Sequence, residues 1–146
     1  KAVVDKRLLC MLNSVELKDY MLRNPVKVNQ RDDLFAAIDL IVSNKISGLC
    51  VVDDDNNLMG VLSETDCLKA ILGARYNQES SVGPVRDVMT RDVFTVTSQA
   101  DIVDVAQQMM KRGFRRCPVV DKGKLVGQIT CRQLLNGVGK FSEKQT

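Results

Sequence analysis

The residues best suited to binding chemistry lie in one short segment, residues 60–66 (GVLSETD). Ser63 is placed to start a helix, where backbone N–H groups and the positive end of the helix dipole attract a phosphate. Asp66 lies one turn further on, and its carboxylate offers two acceptor oxygens to the two hydroxyls of a ribose. Gly60 leaves room for a close approach of strand and helix. One interpretation of the segment is therefore a nucleotide site built on Ser63 and Asp66.

The same spacing is also typical of a helix that binds nothing. A Ser followed three positions later by an acidic residue forms a capping box, in which the two residues satisfy each other's backbone N–H groups. Taken alone, the tetrapeptide favours this structural interpretation. Only its setting in the rest of the chain argues for a ligand.

Composition argues against catalysis. The 146 residues include no His, and the five Cys have no C-x-x-C spacing, so neither a clustered metal site nor a thiol with a base partner is indicated. No G-x-S-x-G or Walker A pattern occurs. We therefore expect no enzyme, no metal site and no catalytic cofactor. Buried free thiols in the reducing cytoplasm explain the cysteines better.

Charge and hydropathy also narrow the choice of partners. A net charge of +3 with 4% aromatic residues and no Trp does not favour a nucleic-acid surface. No apolar run approaches the ~18 residues of a membrane helix, so no membrane segment is expected. The sequence begins with Lys1 rather than Met, which is expected of a piece cut from a longer protein.

An internal repeat organises the elements that must position the Ser63 segment. The repeated stretches, at an offset of 68, are residues 17–21 and 85–89 (LKDYM and VRDVM) and residues 51–53 and 119–121 (VVD in both). One residue is then lost in a turn, so that Gly60 pairs with Gly127 at an offset of 67. Identical residues in the same order indicate a duplicated unit.

Each unit has the pattern of a strand, an amphipathic helix, two strands joined by a turn, and a closing helix. Apolar residues recur with helical spacing over residues 34–42 and 102–110. Ser98 with Asp101 is expected to start the second of these helices, and Gly113 to end it. The predicted strands are residues 26–28, 49–52 and 58–62, and residues 94–96, 117–120 and 125–129.

These elements predict an α/β (α+β) fold of two β-α-β-β-α motifs. A single motif buries too little apolar surface on its own, so we expect the two to pack together with pseudo-twofold symmetry. The predicted divisions are an N-terminal helical extension (1–14), motif 1 (15–72), a linker (73–84), motif 2 (85–138) and a C-terminal tail (139–146).

Three phrases resemble the CBS motif: residues 85–89 (VRDVM), residues 115–121 (RRCPVVD) and residues 60–66 (GVLSETD). Their repetition resembles a CBS pair, or Bateman module, over nearly the whole chain. The resemblance implies a regulatory, non-catalytic module with clefts between its motifs. It implies an adenine nucleotide as ligand (AMP, ADP, ATP or NAD, and in some members S-adenosylmethionine), a homodimer and an effector protein of unknown identity.

The resemblance also implies two unequal, crossed sites, each drawing on both motifs. The main nucleotide site consists of Ser63, Asp66, Met89, Phe94, Phe114, Arg115 and Arg116. The second, weaker site consists of Thr130, Gln133, Met21, Val26, Ile46 and Ser47, with Arg116 able to serve it. Unlike a carboxylate, an amide does not offer two equivalent anionic acceptors to a ribose diol, so capping is the favoured role of Gln133. Arg115 and Arg116 stand where family members carry the basic residues that meet phosphates, although a solvated charge pair explains them too.

Two other functions stay open. The chain could be a structural or dimerising CBS pair whose clefts bind no ligand, which Gln133 favours and Asp66 disfavours. It could also be the regulatory segment of a larger transporter or enzyme.

Overall fold

The computed structural model describes residues 16–77 and 82–136. The predicted N-terminal helix (1–14), the C-terminal tail (139–146) and part of the predicted linker (78–81) lie outside these residues. The helices and strands are β1 (Leu22–Arg23), β2 (Lys27–Asn29), α1 (Leu34–Asn44), β3 (Gly48–Val52), β4 (Leu58–Ser63), α2 (Glu64–Tyr76), α3 (Ile102–Arg112), β5 (Arg116–Asp121) and β6 (Lys124–Thr130), with residues 131–136 also helical.

The described chain forms two compact units. The Asp66 unit contains residues 25–93 and 123–125, and the Gln133 unit contains residues 16–24, 94–122 and 126–136, within the described ranges. Each unit has its own three-stranded sheet and its own buried cluster. The mixed α/β fold predicted from the repeat is confirmed.

The sheet of the Asp66 unit has the order β2-β3-β4. Strand β2 is parallel to β3, with Val28 opposite Val51, and β3 is antiparallel to β4, with Val51 opposite Gly60. All five residues of β3 are buried, as expected of a central strand covered on both faces. Helix α1 covers the sheet with Leu34, Ala37 and Ile41, which the helical period places on one face.

The sheet of the Gln133 unit has the order β1-β6-β5, with β1 antiparallel to β6. Helix α3 buries Ile102, Val105 and Met109 in the core of this unit. The strand predicted at residues 94–96 is reduced to one parallel bridge between Val96 and Val119. After this bridge, the N–H and the hydroxyl of Ser98 donate hydrogen bonds to the Asp121 carboxylate.

The predicted role of Ser98 at the start of α3 is wrong. Asp101 is the N-cap, and its carboxylate accepts hydrogen bonds from the N–H groups of Val103 (2.8 Å) and Asp104 (3.2 Å). The Ser98 hydroxyl instead donates to Asp121 at 2.6 Å, and this bond holds the pKa of Asp121 below its ordinary value. The predicted end of the helix is confirmed, because Gly113 adopts the left-handed conformation with φ 73°.

The four central strands are confirmed, each extending one or two residues past its predicted bounds. Helix α2 continues to Tyr76, into the segment predicted to be the linker. The repeated phrases at residues 17–21 and 85–89 both open with a 3₁₀ turn, Leu17–Asp19 and Val85–Asp87.

Each of these two turns belongs to the compact unit that holds most of the other repeat. Residues 16–24 begin motif 1 but belong to the unit that holds most of motif 2, where the Leu17 N–H donates to the Ala100 carbonyl at 3.1 Å. Residues 85–93 begin motif 2 but belong to the unit of motif 1, where the Val85 N–H donates to the Asp32 carbonyl at 2.8 Å. The compact units therefore do not coincide with the sequence repeats.

Candidate functional site

The residues predicted to bind ribose form a complete capping box at the start of α2. Ser63 is the N-cap, and its hydroxyl oxygen accepts from the Asp66 N–H at 3.0 Å. In return, Asp66 Oδ2 accepts from the Ser63 N–H at 3.1 Å. The capping role of this pair is thus present in the structure, and a ligand has to use whatever acceptor capacity the box leaves.

Asp66 retains that capacity on one oxygen. The Thr90 hydroxyl lies 3.2 Å from Oδ2 and 3.4 Å from Oδ1, so Oδ2 carries two short contacts and Oδ1 only the longer one. A carboxylate oxygen can accept more than one hydrogen bond, and the side chain is half-buried rather than enclosed. The arrangement can therefore still accept a hydroxyl from a ligand, mainly at Oδ1.

Sequence reasoning missed Thr90. It follows directly after the repeated phrase at residues 85–89, which was its only indication in the sequence. Its backbone exchanges two hydrogen bonds with Val61, at 2.9 and 2.8 Å, and this pairing brings its hydroxyl to Asp66.

Gly60 makes this pairing possible, although not for the reason predicted. A Cβ at position 60 would lie 2.5 Å from the Thr90 carbonyl oxygen and 3.1 Å from Met89 Sδ. The close neighbour of Gly60 is therefore the backbone of Thr90 rather than the following helix. Gly127 has the same role in the other repeat, with Leu22 O and Met21 Sδ each 2.8 Å from the position of a Cβ.

The start of α2 offers fewer backbone N–H groups to a phosphate than the sequence predicted. The Glu64 N–H donates to the Ser47 carbonyl at 3.0 Å, and the Asp66 N–H donates to Ser63. Of the first three N–H groups of the helix, only that of Thr65 is left outside these two bonds. Positive side chains must therefore supply most of any attraction for phosphate.

The equivalent positions of the second repeat form an analogous box with an amide. The Thr130 N–H donates to Gln133 Oε1 at 2.8 Å, and the Gln133 N–H donates to the Thr130 hydroxyl oxygen at 3.2 Å. The Cys131 N–H donates to the Arg115 carbonyl at 3.1 Å, as Glu64 does to Ser47. The capping predicted for this pair is present.

An aromatic stack lies in the Gln133 unit. The rings of Phe94 and Phe114 are stacked with centroids 6.1 Å apart and planes 19° apart. The guanidinium of Arg112 lies 4.5 Å from the centroid of Phe94, within cation–π range. Phe114 is 43% exposed, so the stack presents an open aromatic surface. Sequence reasoning selected both Phe residues but missed Arg112, whose place at the end of α3 gave no indication of a ring contact.

The structure divides each predicted site between the two units. Of the main site, Ser63, Asp66 and Met89 lie in the Asp66 unit, whereas Phe94, Phe114, Arg115 and Arg116 lie in the Gln133 unit. Of the second site, Val26, Ile46 and Ser47 lie in the Asp66 unit, whereas Met21, Thr130 and Gln133 lie in the Gln133 unit. Met89 is only 8% exposed and belongs to the core, so most of its surface is used in packing.

A cavity of about 450 Å³, the α1–α2 cavity, opens in the Asp66 unit. Its apolar lining comes from the end of α1 and from Ile46, between α1 and β3, and its polar lining includes one positive and one negative residue. The lining residues are Ile41, Val42, Lys45, Ile46, Ser47 and Glu64.

Most of the described cysteines are buried. Cys50, Cys67 and Cys117 are buried free thiols and Cys131 is exposed. Burial raises the pKa of Cys67, and the charge of Asp66 adds to this effect. Over residues 16–77 and 82–136, no three His, Cys, Asp or Glu side chains are grouped so that they could hold a metal ion. No helix in these ranges combines the length and apolar character needed to cross a membrane.

The chain belongs to the CBS domain family, which matches residues 17–73 and 85–140. An uncharacterized protein of Methanocaldococcus jannaschii is 30% identical over 145 residues, covering 97% of this chain and 50% of the relative. Inosine-5′-monophosphate dehydrogenase of Nitrosopumilus maritimus is 31% identical over 117 residues, covering 80% of this chain and 23% of the enzyme. The chain thus spans half or less of these two relatives.

A solved structure shows the same fold at higher coverage. The crystal structure of CBSX2 in complex with AMP has a TM-score of 0.79 and 28% identity, covering 88% of this chain and 99% of that one. This chain is therefore similar over most of its length to a CBS pair that binds AMP.

Proposed function

We propose that this chain is a regulatory, non-catalytic module that binds an adenine nucleotide, AMP, ADP, ATP or NAD. The carboxylate of Asp66 carries the proposal, because its Oδ1 keeps acceptor capacity after the capping box and Thr90 are satisfied. The similarity to a CBS pair crystallised with AMP supports the same ligand class.

The proposed main site joins Ser63 and Asp66 to the aromatic stack of Phe94 and Phe114 and to Arg115. The carboxylate would accept the ribose hydroxyls, and the aromatic surface would pack on the base. Arg115 is exposed, and with Arg116 it would supply the positive charge that the helix start lacks. Met89 would support the site from the core.

The proposed second site is weaker. Gln133 closes its capping box through its Oε1, and a neutral amide has neither a negative charge nor a second oxygen for a diol. The apolar contacts would come from Met21, Val26 and Ile46, and Ser47 replaces the cation that the other repeat carries at Arg115. Both the ribose and the phosphate contacts are thus reduced.

The proposal is tested by thermal denaturation of the protein with AMP, ADP, ATP and NAD. A ligand that binds only the folded state raises stability by about 2.7 kcal/mol at 100 times its Kd, so at least one of the four should raise Tm by several degrees. Guanosine counterparts at equal concentration serve as the control. If no adenine nucleotide shifts Tm more than its guanine counterpart does, the proposal is wrong.

The alternative is a structural CBS pair without a ligand. It is favoured by the two capping boxes, which are complete with no ligand present. The coverage of only part of the relatives favours a related possibility, in which the module regulates a larger enzyme or transporter. In either case regulation would require that the ligand or partner binds one conformation more tightly than another.

We place the module in the cytoplasm, where adenine nucleotides and reduced thiols coexist.

The proposed assembly is a homodimer formed through α2. This helix exposes four large apolar side chains at helical spacing, Leu68, Ile71, Leu72 and Tyr76, and a second copy offers a complementary apolar stripe. Light scattering should give about 32 kDa, twice the 16.2 kDa of one chain.

Leu72→Glu should convert this dimer to a monomer without loss of fold, because Leu72 is 65% exposed. Leu135→Glu, at a residue that is 70% exposed in the other unit, is the matched control and should leave the mass unchanged. A parent mass near 16 kDa at micromolar concentration would exclude the dimer.

A further inference from the structure

The Thr90 hydroxyl lies against the Asp66 carboxylate and keeps acceptor capacity of its own. A carboxylate only accepts hydrogen bonds, so Thr90 is the donor in its contacts with Oδ2 (3.2 Å) and Oδ1 (3.4 Å). A hydroxyl that donates its proton still has two lone pairs. Over residues 16–77 and 82–136, no group donates a hydrogen bond to this oxygen, and Thr90 is exposed. A ligand can therefore reach it.

Asp66 offers a ribose one oxygen that the protein does not already engage at short distance. Oδ2 accepts from the Ser63 N–H at 3.1 Å and from the Thr90 hydroxyl, whereas Oδ1 has only the 3.4 Å contact. A ribose has two adjacent hydroxyls, and each needs an acceptor when water is displaced. Oδ1 and the Thr90 hydroxyl oxygen, 3.4 Å apart, form a pair of acceptors that two adjacent hydroxyls can reach together.

Backbone pairing holds the Thr90 hydroxyl in this position. The Val61 N–H donates to the Thr90 carbonyl at 2.9 Å, and the Thr90 N–H donates to the Val61 carbonyl at 2.8 Å. Both residues lie in the same compact unit as Asp66. The two acceptors are therefore in place before a ligand binds, so that binding requires little additional ordering of the protein.

The second repeat has the same backbone pairing without the hydroxyl. At the offset of 68, Leu22 occupies the position of Thr90, and it makes the equivalent strand pairing with Gln128. The pairing therefore does not require a hydroxyl and does not explain why residue 90 is Thr. In the same repeat Gln133 replaces Asp66. At these two positions, the hydroxyl and the carboxylate are thus present together in one repeat and absent together in the other.

We propose that Thr90 binds ribose together with Asp66, its hydroxyl oxygen accepting one ribose hydroxyl while Oδ1 of Asp66 accepts the other. Thr90 in turn donates to the carboxylate, whose negative charge makes the hydroxyl oxygen a better acceptor. This inference rests on the proposed binding of adenine nucleotides. It assigns to Thr90 part of the selectivity of the site for ribonucleotides over deoxyribonucleotides, because each ribose hydroxyl has an acceptor of its own.

Calorimetric titrations with AMP, 2′-deoxy-AMP and 3′-deoxy-AMP test the inference. The parent protein should bind AMP more tightly than either deoxynucleotide. Thr90→Val should weaken AMP binding roughly three- to tenfold, the scale of one hydrogen bond. It should weaken one of the two deoxynucleotides by the same factor and leave the affinity for the other unchanged, because that compound lacks the hydroxyl that Thr90 accepts.

Thr90→Ser is the matched control. It keeps the hydroxyl and removes only a methyl group, so it should bind all three compounds as the parent does. Thr90→Val should unfold at nearly the same urea concentration as the parent, because the residue is exposed. A loss of affinity in this variant then comes from the missing hydroxyl.

If Thr90→Val weakens all three compounds by the same factor, Thr90 acts only on the structure, and the inference is overturned while the proposed nucleotide function stands. An AMP affinity that Thr90→Val leaves unchanged would overturn it equally. If AMP does not bind the parent, the inference falls, and the thermal measurements with ADP, ATP and NAD decide the proposed function separately.

Discussion

Replacing Gly60 by Ala should destabilise the protein by about 2–4 kcal/mol, through overpacking and the loss of backbone hydrogen bonds. The added Cβ would lie 2.5 Å from the Thr90 carbonyl oxygen, a backbone atom that cannot move aside as a flexible side chain can. Relief requires the Val61–Thr90 pair of hydrogen bonds, at 2.9 and 2.8 Å, to open. Urea denaturation at neutral pH measures the loss.

Gly73→Ala is the matched control. Gly73 lies inside α2, and a Cβ there would meet nothing within 4 Å. Because Ala is a better helix former than Gly by about 0.8–1.0 kcal/mol, this variant should be more stable than the parent. If Gly60→Ala proved as stable as Gly73→Ala, the close approach of Thr90 to β4 would be wrong.

Gly60→Ala should also break the contact between the Thr90 hydroxyl and Asp66, because this hydroxyl reaches Asp66 only while the Thr90 backbone pairs with Val61. Gly127→Ala, where Leu22 O lies 2.8 Å from the added Cβ, should cost similar stability in the other unit. It should leave the contact between Thr90 and Asp66 in place. Comparing the two variants separates loss of stability from loss of the site.

The sequence was sufficient to predict the repeated fold because each motif shows both periodicities clearly. Leu34, Ala37 and Ile41 fall on one helical face, and β3 is an unbroken apolar run. The exchange of residues 16–24 and 85–93 between the units could not be predicted. Within the two sheets, these segments pair through only two residues or through a single bridge. Such pairings are too short to show a hydrophobic period in the sequence.

The candidate site was less predictable than the fold because one pattern serves two purposes. The capping box of Ser63 and Asp66 was predicted from the sequence, but the sequence does not show that Asp66 divides its oxygens between the Ser63 N–H and the Thr90 hydroxyl. Nor does it show that Glu64 donates to Ser47. Both contacts join segments far apart in the chain, where local spacing holds no information.

Changing Asp66 to Asn should weaken adenine nucleotide binding at least tenfold while leaving the fold intact. The substitution removes the charge from hydrogen bonds to the ribose, each worth roughly 1.5–3 kcal/mol, and about 1.4 kcal/mol is one decade in Kd. The helix should remain capped, because Gln133 closes the equivalent box through an amide oxygen at 2.8 Å. Asn is therefore a sharper test than Ala, which would remove the cap and the ligand contact together.

Gln133→Ala provides the opposite control. It removes the acceptor of the Thr130 N–H, so it should cost about 0.5–2 kcal/mol of stability as lost helix caps do, with little effect on affinity at the Asp66 site. Calorimetric titration and urea denaturation of both variants should show opposite patterns: Asp66→Asn loses affinity and keeps most of its stability, and Gln133→Ala does the reverse. If Asp66→Asn binds nucleotide as tightly as the parent does, Asp66 is only a capping residue, and the main site has been assigned to the wrong repeat.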